Sequence, residues 1–307
     1  MSAIELHNVV KVFTEEGSEP VTAVDHLSLS VERGEVFSLV GPDGAGKTTV
    51  IRMMCGVLPL TEGTITLLGF DIGRQKDEVK KHIGYLSQRF SLYHDLTVDE
   101  NIDFFAEIHK VQGYKQHKEE LLEFTRLTPF RDRLAGKLSG GMKQKLALSC
   151  TLIHTPEIIF LDEPTTGVDP VSRRDFWKIL SSLLKSGITI VVSTPYLDEA
   201  ERSTRVAMLN QGKLLQCDTP EAVKSSFHAE IIELVCSDVR RSSELLQRLY
   251  QRLDIQLFGD RLHVLVKNAK KEQVVISKLL KKEHIDVISS RVIPPSLEDV
   301  FISRLVS

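Results

Sequence analysis

Long hydrophobic runs are missing from this sequence, and no apolar stretch approaches the roughly 18 residues that a membrane-spanning helix requires. Cysteine is scarce: Cys55, Cys150, Cys217 and Cys236 form no C-x-x-C motif, which argues against a disulfide framework or a cysteine metal site. An excess of basic charge is also missing, because the formal net charge is −3, so the composition does not favour binding to nucleic acid. The first residues lack the basic start and apolar core of a signal peptide. Together these absences predict a soluble cytoplasmic protein, which would need a partner in order to work at a membrane.

The chain of 307 residues is 42% hydrophobic and 26% charged, and it has room for two globular domains. In its first part, several short and wholly apolar strands are separated by helices, a pattern typical of a parallel sheet covered on both faces. Alternating runs at Ile4–Phe13 and Val24–Val31 predict antiparallel strands that form a small β-layer over this core. Residues 89–155 change in character and predict a mostly helical subdomain.

A second domain is predicted where the periodicity resets, so that we divide the chain into residues 1–220 and 221–307. Its strands and helices follow in the order βαββαβ, from Glu230–Cys236 to Asp286–Val292. This is the order of a ferredoxin-like α+β fold. Because this part contains no cluster of catalytic residue types, we expect a packing or regulatory module.

The strongest motif is a glycine-rich turn between an apolar strand, Val36–Val40, and a helix that begins near Thr48. The turn has the sequence Gly41, Pro42, Asp43, Gly44, Ala45, Gly46, Lys47, Thr48, Thr49. The spacing G-x-x-x-x-G-K-[ST] between strand and helix is that of a phosphate-binding P-loop, in which backbone N–H groups and the helix dipole converge on an anion. Lys47 would bind the β- and γ-phosphates, and the Thr48 hydroxyl would bind Mg²⁺. The alternative is a glycine-rich turn without a ligand.

Four further features narrow the chemistry. Asp162 ends a buried strand, where it can hold Mg²⁺ through water, and Glu163 is placed to orient or deprotonate an attacking water, although a structural acid pair is the alternative. Gln88 follows another strand, from which it could reach the metal and sense the γ-phosphate. The run of Ser139, Gly140 and Gly141 opens a helix and predicts a second anion-binding surface.

The order of these motifs resembles the ATP-binding cassette (ABC) ATPases over about residues 4–217. The resemblance implies an α/β P-loop NTPase core with an antiparallel β subdomain and a helical subdomain. It also implies ATP and Mg²⁺ as cofactors, and two cassettes that sandwich two ATP molecules head to tail. Ser139, Gly140 and Gly141 would then contact the γ-phosphate bound to a partner's P-loop, and Asp169 would lie at the dimer interface. Phe13 would stack on adenine, whereas its position alone leaves a core or edge phenylalanine equally open.

Other segments are similar to ATPase subunits of ABC-2 type exporters, including drug exporters: Gln88–Tyr93, Leu96–Asn101 and Pro295–Phe301. Gly41–Gly44 and Leu197–Glu201 are similar to the first cassette of tandem-cassette members. This resemblance implies ATP-driven export through ABC-2 type membrane permease subunits, with the chain peripheral on the inner face of the cell membrane. It implies a second cassette, and we favour a different chain over a second copy. Nucleic acid is not an expected partner.

The loop after Gln88 carries three apolar residues, Phe90, Leu92 and Tyr93. They are suited to line the cleft into which the family's membrane partner inserts its coupling helices. The alternative is an ordinary buried loop.

Two departures from the family pattern matter. Asp43 replaces the usual P-loop asparagine, and Pro195 stands where the family has its switch histidine, in the sequence Ser193-Thr194-Pro195-Tyr196. Proline offers no side-chain hydrogen bond, and loss of one such transition-state contact typically costs about 10²–10³ in rate. We therefore expect reduced hydrolysis here, and a partner cassette that carries the histidine.

Two other classes compete with an exporter subunit. A weakly hydrolytic nucleotide sensor that regulates a partner is favoured by Pro195. A soluble ABC protein that acts on ribosomes or DNA would usually carry long charged insertions or basic arms, which are not evident in the sequence.

Overall fold

A computed structural model describes residues 2–14, 17, 19–88, 92–248 and 255–305. The chain divides into two compact units, residues 1–219 and 220–307. Among the described residues, no helix is both long enough and apolar enough to cross a membrane.

The first unit combines two sheets with seven α-helices in the part that is described. Its strands are β1 (Ser2–Phe13), β2 (Val21–Glu32), β3 (Val36–Val40), β4 (Glu62–Leu67), β5 (Phe70–Asp71), β6 (Ile83–Leu86), β7 (Ile158–Asp162), β8 (Thr189–Thr194), β9 (Arg205–Asn210) and β10 (Lys213–Asp218). Its α-helices are α1 (Lys47–Met54), α2 (Lys76–His82), α3 (Val98–Ile108), α4 (Lys115–Thr125), α5 (Gly140–Leu152), α6 (Pro170–Lys185) and α7 (Leu197–Ala200), with 3₁₀ turns at Thr128–Phe130 and Ala135–Lys137.

The central sheet has six strands in the order β10-β9-β3-β8-β7-β6. All neighbouring pairs are parallel except β9 and β10, which pair antiparallel at one edge. Every residue of β3, β7 and β8 is buried, as expected for parallel strands that are covered on both faces. The predicted parallel sheet is therefore confirmed.

The sheet is covered by a different layer on each face. On one face, α1 and the antiparallel sheet β2-β1-β4-β5 close a hydrophobic core that contains Ile4, Phe37 and Met53. On the other face, helices α3 to α6 pack their apolar residues, such as Ile102 and Phe176, into a second core. The predicted antiparallel layer and helical subdomain are thus both present.

Helix α3 shows how local sequence sets an element boundary. Thr97 accepts a hydrogen bond from the backbone N–H of Glu100, and Glu100 accepts one from the backbone N–H of Thr97. This reciprocal capping box satisfies donors that the first helical turn leaves unpaired.

The second unit contains four strands and four helices in its described residues. They are α8 (Pro220–Ser225), β11 (Glu230–Cys236), α9 (Val239–Gln247), β12 (Ile255–Phe258), β13 (Arg261–Val266), α10 (Ala269–Lys282), β14 (Val287–Ile293) and α11 (Leu297–Arg304). The strands form an antiparallel sheet in the order β12-β13-β11-β14, in which β11 lies between β13 and β14. This arrangement confirms the predicted ferredoxin-like fold. The helix expected at Ser242–Arg252 is observed as α9, and the last part of that prediction lies outside the described residues.

Candidate nucleotide-binding site

The P-loop has a backbone that only glycine fits at two positions. A β-carbon at Gly41, where φ is 156°, would lie 2.2 Å from the carbonyl oxygen of Leu209. A β-carbon at Gly46, where φ is 98°, would lie 2.6 Å from the carbonyl oxygen of Ala23. Glycine is therefore required for the loop to lie this close to its neighbours and to lead into α1.

Lys47 begins α1, and its side chain lies back across the loop. The Nζ group donates hydrogen bonds to the carbonyl oxygens of Gly41 at 2.7 Å and Pro42 at 3.0 Å. It also lies 3.7 Å from Oε1 of Glu163, and the two side chains are only 4% and 9% exposed. The structure thus brings together two residues that are 116 positions apart in the sequence.

Glu163 is held by several groups at the end of β7. Its Oε2 accepts hydrogen bonds from Nε2 of Gln88 at 2.9 Å and from Oγ1 of Thr166 at 3.3 Å. Its backbone N–H donates to Ser193, and its φ of 50° lies in the left-handed region. A non-glycine residue in this region costs free energy, and such positions are concentrated at functional sites.

Asp162 lies beside the P-loop threonine. Its Oδ1 accepts hydrogen bonds from Oγ1 of Thr48 at 3.0 Å and from Oγ of Ser193 at 2.6 Å. Its Oδ2 is buried and has no hydrogen-bond partner in the described part of the chain. A buried carboxylate oxygen without a partner fits a Mg²⁺ ion, because unpaired buried charge is otherwise costly.

A metal here would have few protein ligands. Within the described residues, no three or more His, Cys, Asp or Glu side chains form a metal-binding group. Mg²⁺ is usually held by one or two carboxylates together with waters and phosphate oxygens of the substrate, and Asp162 offers one such carboxylate. Thr48, Gln88 and Asp162 are the residues that would hold it.

Lys47, Thr48, Gln88 and Glu163 border one open cleft of about 630 Å³, and Asp162 adjoins it through its hydrogen bond with Thr48. Its lining consists of Ala23, Asp43, Gly44, Ala45, Gly46, Lys47, Thr48, Thr49, Gln88, Glu163, Thr166, Pro195 and Tyr196. The volume is within the range of small-molecule sites. The structure therefore brings the P-loop, Gln88 and Glu163 to the same cleft as the Pro195 turn.

Other predicted site residues lie outside the lining of this cleft. Ser139 caps α5 by accepting a hydrogen bond from the backbone N–H of Met142 at 3.3 Å, and both Ser139 and Gly140 are exposed. Gly141 is buried, and a β-carbon there would lie 2.5 Å from Cβ of Ser172 in α6. This serine-glycine segment thus presents an exposed polar surface and one tightly packed glycine.

Asp169 and Phe13 also lie apart from the cleft. Asp169 caps α6 by accepting hydrogen bonds from the backbone N–H groups of Val171 and Ser172, and hydrogen bonds from Ser172 lower the pKa of its carboxyl. Phe13 ends β1, is 41% exposed, and has the ammonium of Lys11 at 5.1 Å from its ring centroid. The exposed ring is available for a planar ligand.

The loop after Gln88 is only partly described. Phe90 lies outside the described residues, whereas Leu92 is 9% exposed and Tyr93 is 48% exposed. The side chain of Asn101 bonds to both the N–H and the carbonyl of Tyr93, and so fixes this part of the loop.

Sequence reasoning missed Ser193 and Thr166, although both touch the paired acids. Ser193 reaches Asp162 because the two residues are register partners in the parallel pair β7–β8. Strand register between residues 31 positions apart carries no local sequence signal. In contrast, Thr166 lies only three residues after Glu163, so its contact with that carboxylate could have been predicted from the local sequence.

Comparisons with known proteins agree with this geometry. Residues 24–166 match the family described as ABC transporter, and residues 219–305 match the ATP-binding protein DrrA1-3-like C-terminal domain. The chain is 41% identical over 288 residues to the probable multidrug ABC transporter ATP-binding protein YbhF of Escherichia coli, covering 92% of this chain and 49% of YbhF. The chain thus spans about half the length of that relative.

Two further matches cover most of the related protein. The daunorubicin/doxorubicin resistance ATP-binding protein DrrA of Streptomyces peucetius is 32% identical, with 98% of this chain and 92% of DrrA covered. The dimeric ATP-binding cassette MJ0796, solved with ADP and phosphate, superposes with a TM-score of 0.64 at 27% identity, covering 70% of this chain and 98% of that cassette. The chain therefore belongs to the ATP-binding proteins of ABC transporters, in the DrrA-like group of the ABC-2 type.

Proposed function

We propose that this chain is the ATP-binding and ATP-hydrolysing subunit of an ABC exporter. The convergence of Lys47, Gln88 and Glu163 on one cleft, with Asp162 bonded to Thr48 in its lining, is the observation that carries the proposal. A phosphate-binding lysine, a metal-binding aspartate and a glutamate beside them are the groups that hydrolysis of a phosphate anhydride requires.

Each residue has a role that follows from its contacts. The P-loop N–H groups and Lys47 bind the phosphates, and Phe13 at the end of β1 stacks on adenine. Glu163 accepts a proton from the attacking water, while Gln88 and Thr166 fix the orientation of its carboxylate. Mg²⁺ would neutralise charge on the phosphates, held by Thr48, Gln88 and Asp162.

The site is half of a shared one in this proposal. Ser139, Gly140 and Gly141 contact the nucleotide in the P-loop of a second cassette, and Asp169 lies at that interface. The exposure of Ser139 and Gly140 supports this role, as does the dimeric state of the similar MJ0796 cassette. We favour a different, histidine-bearing cassette as the partner, because Pro195 lines the cleft where a side-chain donor would contribute to hydrolysis.

Residues 1–220 form the cassette and residues 221–307 an accessory or regulatory domain in this scheme. The cassette docks to ABC-2 type permease subunits on the inner face of the cell membrane, where dimer closure on ATP drives export. The names of YbhF and DrrA support a role in drug export.

The experiment is purification of the tagged chain from detergent-solubilised cells, followed by ATPase measurement with and without the co-purifying proteins. We expect a membrane protein to co-purify and to stimulate turnover. Co-purification of ribosomal RNA or DNA would contradict the exporter assignment. Tight ATP binding without turnover in both preparations would instead support the nucleotide sensor, which the Pro195 position favours.

A further inference from the structure

The turn after β8 places Tyr196 next to Pro195 in the nucleotide cleft. We propose that the Tyr196 hydroxyl makes the hydrogen bond to the terminal phosphate of bound ATP that Pro195 cannot make. The proposal rests on the proposed function, since it assigns one more contact to the same nucleotide.

The position of Tyr196 is the first support. Tyr196 lines the cleft together with Lys47, Gln88 and Glu163. Tyr196 is partly exposed, and no described residue forms a hydrogen bond with its hydroxyl. A phenol hydroxyl is a hydrogen-bond donor that phosphate oxygens accept, and bonds to charged acceptors are among the stronger ones.

The second support is that the ring is fixed by a neighbouring cation. The guanidinium carbon of Arg173 lies 4.9 Å from the centroid of the Tyr196 ring, which is the geometry of a cation–π contact. Nη1 of Arg173 lies in turn 3.7 Å from Oε1 of Glu199, whose side chain is 5% exposed. Arg173 is thus held between a buried carboxylate and the aromatic ring.

The third support is that Glu199 also holds the backbone on which Tyr196 sits. Its Oε2 accepts hydrogen bonds from the hydroxyls of Thr165 at 2.7 Å and Thr194 at 3.2 Å. Oγ1 of Thr194 accepts the backbone N–H of Tyr196 at 3.0 Å. The strand end before Tyr196 and the segment after Glu163 are therefore tied to one carboxylate.

These contacts reduce the freedom of the tyrosine before nucleotide binds. A side chain that is already held in place loses less conformational entropy when it forms a new hydrogen bond. Tyr196 is accordingly a residue in contact with substrate, and Arg173 and Glu199 are positioning residues that act through it.

The test compares Tyr196→Phe with Tyr114→Phe, a matched removal of a phenol hydroxyl in the helical subdomain, away from the cleft lining. Affinities for ATP and ADP are measured in the Glu163→Gln background, so that ATP is not consumed. We expect Tyr196→Phe to weaken ATP binding by about tenfold and to leave ADP binding unchanged, because only ATP carries the terminal phosphate. If Tyr196→Phe binds both ATP and ADP as tightly as Tyr114→Phe does, the proposal is overturned.

Turnover gives a second readout in the otherwise native complex. We expect Tyr196→Phe to lower kcat, and Pro195→His to raise kcat by a larger factor in the Tyr196→Phe background than in the native one. If Pro195→His raises kcat by the same factor in both backgrounds, the two side chains do not make the same contact with the phosphate, and the proposal is contradicted.

If Glu163→Gln leaves turnover unchanged, the proposed function itself fails. If Glu163→Gln abolishes turnover while Tyr196→Phe changes neither binding nor kcat, only the tyrosine assignment fails.

Discussion

Pro195 occupies a cleft position from which a histidine ring would offer a nitrogen donor, but the proline ring offers none. The carboxylate of Glu163 is nevertheless held in place by Gln88 and Thr166. At the scale of single residues, the carboxylate proposed as general base is therefore positioned without help from the turn after β8.

Pro195→His is expected to raise ATP turnover by about three- to tenfold, less than the roughly 10²–10³ typical of a wholly missing transition-state contact, because Tyr196 is proposed to make part of that contact already. The measurement is kcat at saturating ATP in the purified complex. Pro195→Gly is the control, since it removes the ring without adding a donor. An equal rise in Pro195→Gly would assign the effect to backbone freedom, and no rise in Pro195→His would contradict the prediction.

At the scale of elements, the first turn of α5 packs directly against α6. Gly141→Ala is expected to lower the free energy of unfolding by about 1–3 kcal/mol, because its β-carbon would overlap Ser172. Gly140→Ala is a matched control, since its β-carbon would have its nearest neighbour at 3.9 Å. Thermal unfolding measures both.

Gly140→Ala also separates folding from function. The substitution leaves the fold intact, but it adds a methyl group to the exposed surface proposed to meet the partner's nucleotide. We expect normal thermal stability and reduced ATPase activity in the assembled pair of cassettes. Normal activity would remove Gly140 from that interface.

Two stacked histidines lie next to the ends of α3 and α5 and the start of β6. The His109 and His154 ring centroids lie 4.1 Å apart, and Nε2 of His154 donates to the carbonyl of Ile83 at 2.9 Å. Burial lowers the pKa of His154 to about 4.

Because the unfolded chain binds this proton more readily, the contribution of His154 to stability is complete above pH 6.5 and is lost as the pH drops towards 4. Between pH 7 and pH 5 the loss from this residue is about 2 kcal/mol. His154→Gln should remove that part of the pH dependence, as measured by urea unfolding at the two pH values. An unchanged difference between pH 7 and pH 5 would show that His154 is not its source.

The elements predicted best are those whose apolar or capping residues form a recognisable pattern within one short stretch of sequence. Buried strands such as β3 and β7 are apolar throughout, and α3 carries its capping residues beside it. In contrast, α2 was not predicted, because Val79 is its one buried residue. The antiparallel edge strand β10 was also missed, since its residues are mostly half-buried and show no clear alternation.

The residues of the candidate site likewise fall into those that a local motif predicts and those that only the folded structure reveals. The P-loop and the acid pair are visible as short contiguous motifs, whereas the contacts of Ser193 and Arg173 depend on strand register and helix packing. No local pattern encodes those long-range contacts. Whether Ser139, Gly140 and Asp169 meet another chain stays a prediction.

At the scale of the whole molecule, the two units have separate hydrophobic cores, and every residue lining the cleft belongs to the first. A fragment comprising residues 1–219 is therefore expected to fold and to bind ATP with an affinity within about threefold of the full chain. Thermal unfolding and nucleotide titration measure this. Aggregation of the fragment, or loss of its ATP binding, would show that the second unit is required for the first.

ATP binding and turnover of Glu163→Gln, measured in the complex with its partners, test the proposed function most directly. We predict that turnover falls by at least about a hundredfold, because a carboxamide cannot accept the proton, while ATP affinity stays within about threefold. The control is Glu62→Gln, the same substitution at an exposed glutamate in β4. Unchanged turnover would contradict the role of Glu163 as the base, and parallel loss of ATP binding would show that Glu163 acts by holding the cleft together.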